Sequence, residues 1–154
     1  MFWVNDTIEA RHAKIRGFAA RDVAVAGYIL AAADFEWTIR RAILALGHRA
    51  TGAIREETLK RCTGDEQYKD AWKREVYPKK GKRLPEVIPN WHELVTKAFP
   101  LRHRLVHGVS GAPGLNYVKE RREVYLLASR ALVDYAASEG ANLYARLPVR
   151  RKDR

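Results

Sequence analysis

An arginine and two histidines stand close together late in the chain, in the run Arg102-His103-Arg104-Leu105-Val106-His107-Gly108. Imidazole is the side chain best suited to exchanging a proton near neutral pH. Guanidinium binds phosphate through paired donors and keeps its charge throughout. Together they suit a phosphodiester, and RNA cleavage needs little more: a base for the 2′-hydroxyl, a positive clamp for the phosphate, and an acid for the leaving oxygen. On a helix His103 and His107 share a face, being four residues apart. Arg102 lies about 140° around from His107, so a long side chain or a second subunit must complete the group. Pro100 predicts a fresh helix start or a kink, with Arg102 in or near the first turn. The exposed N–H groups of such a start would add to an anion site. Gly108 allows a sharp turn or a close backbone approach.

Other residues fall around this group. Glu36 lies on a helical face with Ile29, Ala33 and Ile43, and a carboxylate there wants a partner. Arg40, four residues on, is one candidate; Arg102 is the other, and that pairing would orient the arginine. Arg104 reads either as an RNA contact or as an ordinary surface arginine. Lys79, Lys80, Lys82 and Arg83 sit in the stretch Pro78 to Pro85, read as a basic loop bounded by prolines and able to grip an RNA backbone. Trp37 and Trp91 fall on apolar stripes and are expected to pack rather than to stack on bases. Cys62 is the only cysteine, so no internal disulfide framework exists, and a plain thiol is expected.

Rival chemistries are weakly written. His103 and His107 have helical ligand spacing and His92-Glu93 precedes them, but no H-E-x-x-H run and no cysteine pair accompany them. No metal and no other cofactor is expected. Neither G-x-x-x-x-G-K-[ST] nor G-x-G-x-x-G occurs, which argues against a nucleoside triphosphatase or a dinucleotide enzyme.

The elements must position these groups. The chain has 154 residues, 47% of them apolar, enough for one domain with a sizeable core. Residues 7–46 read as helix, with stripes Ile8, Ile15, Ala19, Ala26, Leu30, Ala33, Trp37, Leu44 and Val25, Ala32, Phe35, Ile39, Leu46. Gly17 and Gly27 are weak points in it and Gly47 a C-cap. One or two shorter helices are expected between Ala53 and Tyr77, broken at Thr63-Gly64-Asp65 with Asp65 as N-cap. A further helix begins near Trp91, capped by Asn90 with Glu93 three residues on. Gly108 to Gly114 is a loop. The last helix spans about Asn116 to Ser138, with the stripe Tyr117, Val124, Ala128, Ala131, Tyr135 widened by Leu127 and Leu132, and Gly140 at its end. No strand and no repeat is evident. The expected architecture is an all-α bundle of four to six helices over residues 1–145, followed by a basic, mobile tail over 146–154.

The bulk charge points the same way. Lys and Arg total 29 against 18 Asp and Glu, a net charge of +11, which favours polyanionic partners through counterion release. The start of the chain lacks a signal-peptide pattern. The longest apolar run, Val23 to Ala33, has 11 residues against the roughly 20 that a membrane span needs. A soluble cytoplasmic protein is expected, with no membrane partner.

The spacing Arg102-x4-His107, the polar His103 directly after the arginine, and the helical layout around them resemble the R-x4–6-H motif of the HEPN superfamily. The run LRHRLVHG looks like prokaryotic HEPN domains of toxin and phage-defence systems. The resemblance implies an all-α protein that dimerises so that two motifs form one composite cleft. It implies RNA cleavage without metal, leaving a 2′,3′-cyclic phosphate. Carried over, His107 is the general acid/base or 2′-hydroxyl activator, Arg102 holds the scissile phosphate, His103 orients the pair or helps bind phosphate, and Glu36 supports Arg102. The partners expected are RNA, a second copy of the chain, and an antitoxin or activating protein. A non-catalytic RNA- or nucleotide-binding module and a purely structural domain are the alternatives.

Overall fold

The structure is a computed structural model and describes residues 7–17, 21–106, 113–147 and 149–150. His107, Gly108 and the rest of the loop to Ala112, Ala19 of the first stripe, and Arg151 to Arg154 of the tail lie outside the described residues.

Among the described residues there is no strand, and eight helical stretches replace the four to six expected. Helix α1 (Ile8–Arg16) opens with the Thr7 hydroxyl accepting from the Ala10 N–H at 3.3 Å and closes at Gly17. Helix α2 (Arg21–Leu46) runs 26 residues straight through Gly27. Helix α3 (Thr51–Ala53) continues through a π-helical turn (Ile54–Thr58) and a 3₁₀ turn (Leu59–Arg61). Then follow α4 (Asp65–Glu75), α5 (Tyr77–Lys80), α6 (Leu84–Val87) and α7 (Trp91–Glu93). Helix α7 runs through a second π-helical turn (Leu94–Ala98) into α8 (Phe99–Val106), and α9 (Leu115–Ser138) closes the bundle.

The two long helices, α2 and α9, lie along one another more extensively than any other pair and hold the core between them. An aromatic cluster joins them to α8: Tyr28 and Phe35 from α2, Tyr125 from α9 and Phe99 from α8, with ring centroids 5.6 to 6.1 Å apart. Such edge-on pairs add to the area they bury. Phe99 is one helical turn before Arg102, so this cluster is the floor on which the candidate site stands.

Several expectations are corrected. The stretch Pro78 to Pro85 is mostly helical, because each proline occupies the first turn of a short helix, where its missing N–H costs nothing. Asp65 is not the N-cap of α4. Gly64 is, and the Gln67 side chain accepts from the N–H groups of Thr63 and Gly64 at 2.7 and 3.1 Å. Asn90 is the N-cap residue of α7 as expected, but its side chain makes no capping hydrogen bond; its Nδ2 donates to the Val124 carbonyl of α9 at 2.9 Å. On α9 the stripe residues Val124, Ala128, Leu132 and Tyr135 are buried as expected, but Tyr117 and Leu127 are 37% and 57% exposed, and Val118, Tyr125, Leu126, Ser129 and Ala136 widen the buried face. On the first two stripes Ile8, Ile15, Ala32, Phe35, Ile39, Leu44 and Leu46 are buried as expected, but Ala26 and Ala33 are exposed, and Ala24, Tyr28, Ala31 and Ile43 join the core. The end of α9 follows the expectation. Gly140 (φ 77°) lets the Ala141 and Gly140 N–H groups reach back to the Ala136 and Ala137 carbonyls at 2.8 and 2.9 Å.

Within the tail expected to be mobile, Arg150 is tied to the bundle. Its guanidinium donates to the Ala45 and Leu44 carbonyls at the C-terminal end of α2, at 3.0 and 2.6 Å, and to that of Arg49 at 3.1 Å. Cations belong at that end of a helix dipole. Gly47, at the same end, is required by proximity rather than by a left-handed conformation. A Cβ there would lie 2.6 Å from the Ile43 carbonyl oxygen and 2.7 Å from Ile54 Cδ1. Gly47→Ala is expected to cost about 1–3 kcal/mol by overpacking, which thermal denaturation would register as a Tm lower by roughly 2–4 °C per kcal/mol at this chain length.

Two buried carboxylates fasten the bundle. Glu75 of α4 accepts from Arg49 at 2.7 and 3.0 Å and from the Thr58 hydroxyl at 2.5 Å. Burial alone would raise its pKa, but these donors outweigh it and hold the carboxyl below its ordinary value. Asp34 of α2 accepts from Arg11 Nε of α1 at 2.8 Å, with His12 Nε2 3.4 Å away. The Arg11 guanidinium also lies 4.1 Å over the Trp37 ring, which stacks on Tyr144 at 5.6 Å. Trp37 therefore packs, as its stripe position implies, and Trp91 packs against the core as well.

Candidate active site

Helix α8 carries the site and begins at Phe99, next to Pro100, as expected, but it follows without a gap on the π-helical turn and α7 rather than after a loop. Inside a regular α-helix a proline ring meets the carbonyl four residues earlier and removes a hydrogen bond. Here the wide π-helical turn Leu94–Ala98 stands immediately before it, the kind of local adjustment that accommodates such a residue. The Phe99 N–H is taken up by the Leu94 carbonyl of that turn and is not free for an anion. Arg102 lies in the first turn of α8, as expected.

Arg102 is held by Glu36. Its Nη2 lies 2.9 Å from Glu36 Oε1, with the two side chains 32% and 21% exposed. Of the two partners open to Glu36, the structure therefore joins it to Arg102. Arg40 is engaged elsewhere: it donates to the Tyr68 hydroxyl and the Leu59 carbonyl, both at 2.9 Å, and to the Cys62 carbonyl. Glu36 Oε1 is buried and accepts no well-aimed hydrogen bond among the described residues, so the contact is ionic. Burial pushes the Glu36 pKa above its ordinary value, although Arg102 and Arg40 pull the other way.

A surface cleft of about 460 Å³ opens beside this pair. Arg102 and His103 form one wall with Phe99, Pro100 and Val95, and Thr63, Gly64 and Asp65 form the other. The opposite wall is positioned by Arg40, whose bonds to Leu59 and Cys62 draw the end of the 3₁₀ turn onto α2, and by Gln67, which braces Thr63 and Gly64. His103 is exposed at the rim. The arrangement offers a fixed guanidinium and a solvent-facing imidazole to an anion entering the cleft.

The remaining candidates lie apart from it. Arg104 is exposed on α8 and turned toward the start of α9, where it acts on Tyr117. Lys80 pairs with Glu139 of α9 at 2.5 Å, Lys82 Nζ lies 5.6 Å from the centroid of the Tyr135 ring, and Lys79 is exposed. Arg83 lies beside the Tyr77 ring at 5.9 Å and lines a separate depression with Lys69 and Lys73. None of these four lines the cleft of Arg102 and His103. Cys62 is buried, its thiol directed to the Thr58 carbonyl at 3.1 Å and pushed up in pKa by burial. That suits an inert thiol.

Sequence reasoning missed the cleft's second wall and the π-helical turn. Thr63-Gly64-Asp65 carried a signal, as a break between helices, but nothing in it showed which helix it would face. Among the described residues no three His, Cys, Asp or Glu side chains gather in a group able to hold a metal ion, and no helix is long and apolar enough to cross a membrane. No known family model, curated protein or solved structure matches the chain.

Proposed function

We propose that the chain is a HEPN-type, metal-independent endoribonuclease acting as a homodimer, with two Arg102-x4-His107 motifs forming one composite site. The observation that carries this reading is Arg102, fixed by the half-buried Glu36 in a cleft beside the exposed His103. A guanidinium so held is organised for a phosphate before the substrate arrives, which is what transition-state stabilisation requires. The net charge of +11 supports a polyanionic substrate.

In the proposed reaction His107 removes the proton of the 2′-hydroxyl, and the 2′-oxygen attacks the adjacent phosphorus. Arg102 holds the non-bridging oxygens as charge grows on them. The bond to the 5′-oxygen breaks, and an imidazole of the composite site protonates that leaving group, for which His103 is the second candidate. The products are a 2′,3′-cyclic phosphate and a 5′-hydroxyl, with every proton accounted for and no oxidant needed. A role as a growth-restraining toxin or phage-defence effector, controlled by an antitoxin or activator, rests on the family resemblance.

The test is cleavage of a mixed-sequence labelled RNA in the presence of EDTA by the native protein, Arg102→Ala and His107→Ala. Cleavage by the native protein alone, with cyclic-phosphate ends, is the expected result. Equal cleavage by His107→Ala sinks the assignment. Salt-dependent RNA binding without cleavage by any of the three moves the protein to the non-catalytic binding reading.

A further inference from the structure

Arg102 and Arg104 project about 200° apart on α8, so the helix presents two flanks on either side of His103. The first is the cleft already described. The second is formed where α8 meets the start of α9. There Tyr117 is 37% exposed, and Arg121, one turn further along α9, places its guanidinium carbon 4.7 Å from the ring centroid. Arg104 and Arg121 both act on the Tyr117 hydroxyl and hold its pKa below the ordinary value.

Folding does not account for this group. Several arginines among the described residues are committed: Arg11 to Asp34, Arg49 to Glu75, Arg102 to Glu36, and Arg40, Arg41 and Arg150 to backbone carbonyls. Among the described residues neither Arg104 nor Arg121 forms an ion pair within 4.0 Å; Glu93, itself paired with Lys97, feels Arg121 only at longer range, and the Arg121 Nε is buried without a hydrogen-bond partner. Two guanidinium groups without a close ion pair beside an exposed aromatic ring are what a nucleic-acid strand requires, since bases stack on rings and phosphates settle on guanidinium groups.

We propose that Tyr117, Arg104 and Arg121 form a nucleotide subsite for single-stranded RNA, in which a base stacks on the Tyr117 ring and the two guanidinium groups hold the flanking phosphates. The inference rests on the reading that α8 handles RNA. A strand laid across α8 then meets Arg102 and the cleft on one side of His103 and the Tyr117 ring on the other. The subsite binds unpaired nucleotides, because a base in a duplex has no free face to offer.

The test measures binding of a labelled mixed-sequence single strand and of a duplex of the same length, with cleavage followed in parallel. The proteins are the native chain, Tyr117→Ala, Tyr117→Phe and Arg121→Met. Tyr117→Ala is expected to weaken single-strand binding by roughly 5- to 100-fold, the measured worth of one stacked base. It should leave duplex binding and Tm unchanged. Tyr117→Phe should bind like the native chain. Arg121→Met should reduce the salt slope of single-strand binding by about 0.7, the value for one phosphate contact. Tyr117→Ala binding single strands like the native chain, while the native chain binds and cuts RNA, overturns the subsite and leaves the ribonuclease reading intact. Tyr117-dependent binding by a native chain that never cuts overturns the ribonuclease reading and leaves the subsite. A native chain that binds no RNA overturns both.

Discussion

Asp34→Ala is expected to lose about 3–5 kcal/mol of stability, the usual cost of removing one partner from a buried ion pair. The side chains of Arg11 and Asp34 are 4% and 0% exposed, and His12 is 3% exposed beside them. Deleting the carboxylate leaves the Arg11 guanidinium buried against Trp37 and Tyr144 without that counter-charge. Native domains have only about 5–15 kcal/mol to lose, so urea unfolding should show a much lower midpoint. Replacing the pair together, Arg11→Met with Asp34→Leu, should recover a good part of the loss, since the desolvation of both charges disappears with them. The pH dependence has a definite sign. Burial raises the Asp34 pKa, but His12 and Arg11 outweigh it and hold it below the ordinary value. A depressed carboxyl contributes stability that is present above the unfolded value of about 3.9 and is lost as pH falls through the folded one. The native protein should therefore lose stability over that acid range, and Asp34→Ala should show a shallower loss there. An unchanged midpoint for Asp34→Ala would mean that the Trp37 and Tyr144 rings alone hold Arg11.

The long helices were legible because periodicity speaks loudly over many residues. α2 keeps an apolar spacing for 26 residues, and a glycine in its interior costs only about 1 kcal/mol against alanine. The misreadings have particular causes. Pro78 and Pro85 look like loop boundaries in sequence, yet a proline at the first turn of a helix is well placed. The buried face of α9 also includes Arg122 and Ser129, so a stripe drawn through apolar residues alone catches only part of it. The tail looked free because the carbonyls that Arg150 reaches are about a hundred residues earlier, a distance that no local pattern spans.

For the candidate site the types and spacing of Arg102, His103 and Glu36 were readable, and so was the pairing of Glu36 with Arg102 as one of two possibilities. What decides between them is Arg40, whose guanidinium is consumed by Tyr68, Leu59 and Cys62. That competition depends on how the 3₁₀ turn docks on α2, and no spacing rule reports it. The π-helical turn before Pro100 was hidden for a related reason: widening one helical turn leaves residue types unchanged.

The link between Glu36 and Arg102 makes the second large prediction. On the ribonuclease reading, Arg102→Ala should lower kcat by about 10²–10³, the usual cost of one donor aimed at a developing oxyanion. Glu36 touches no phosphate; it positions Arg102. Glu36→Gln should therefore cost less, and adding it to Arg102→Ala should cost nothing more, because its only route to the reaction has gone. Two residues that act as a unit are non-additive in this way. The same pair shapes the pH profile. Burial places the Glu36 pKa above the ordinary glutamate value, so as pH falls through that raised value the carboxyl protonates and releases Arg102. Activity of the native enzyme should decline on the acid side at a pH above the normal glutamate range, and Glu36→Gln should lack that limb while keeping the limbs due to histidine. Linkage gives the opposite sign for stability: a raised carboxyl pKa means that ionised Glu36 disfavours folding at neutral pH, so Glu36→Gln should be as stable as the native chain or more so. A variant that gains stability while losing activity would identify Glu36 as held in its ionised, half-buried state for the sake of Arg102. A variant that loses both in proportion would make it an ordinary structural ion pair.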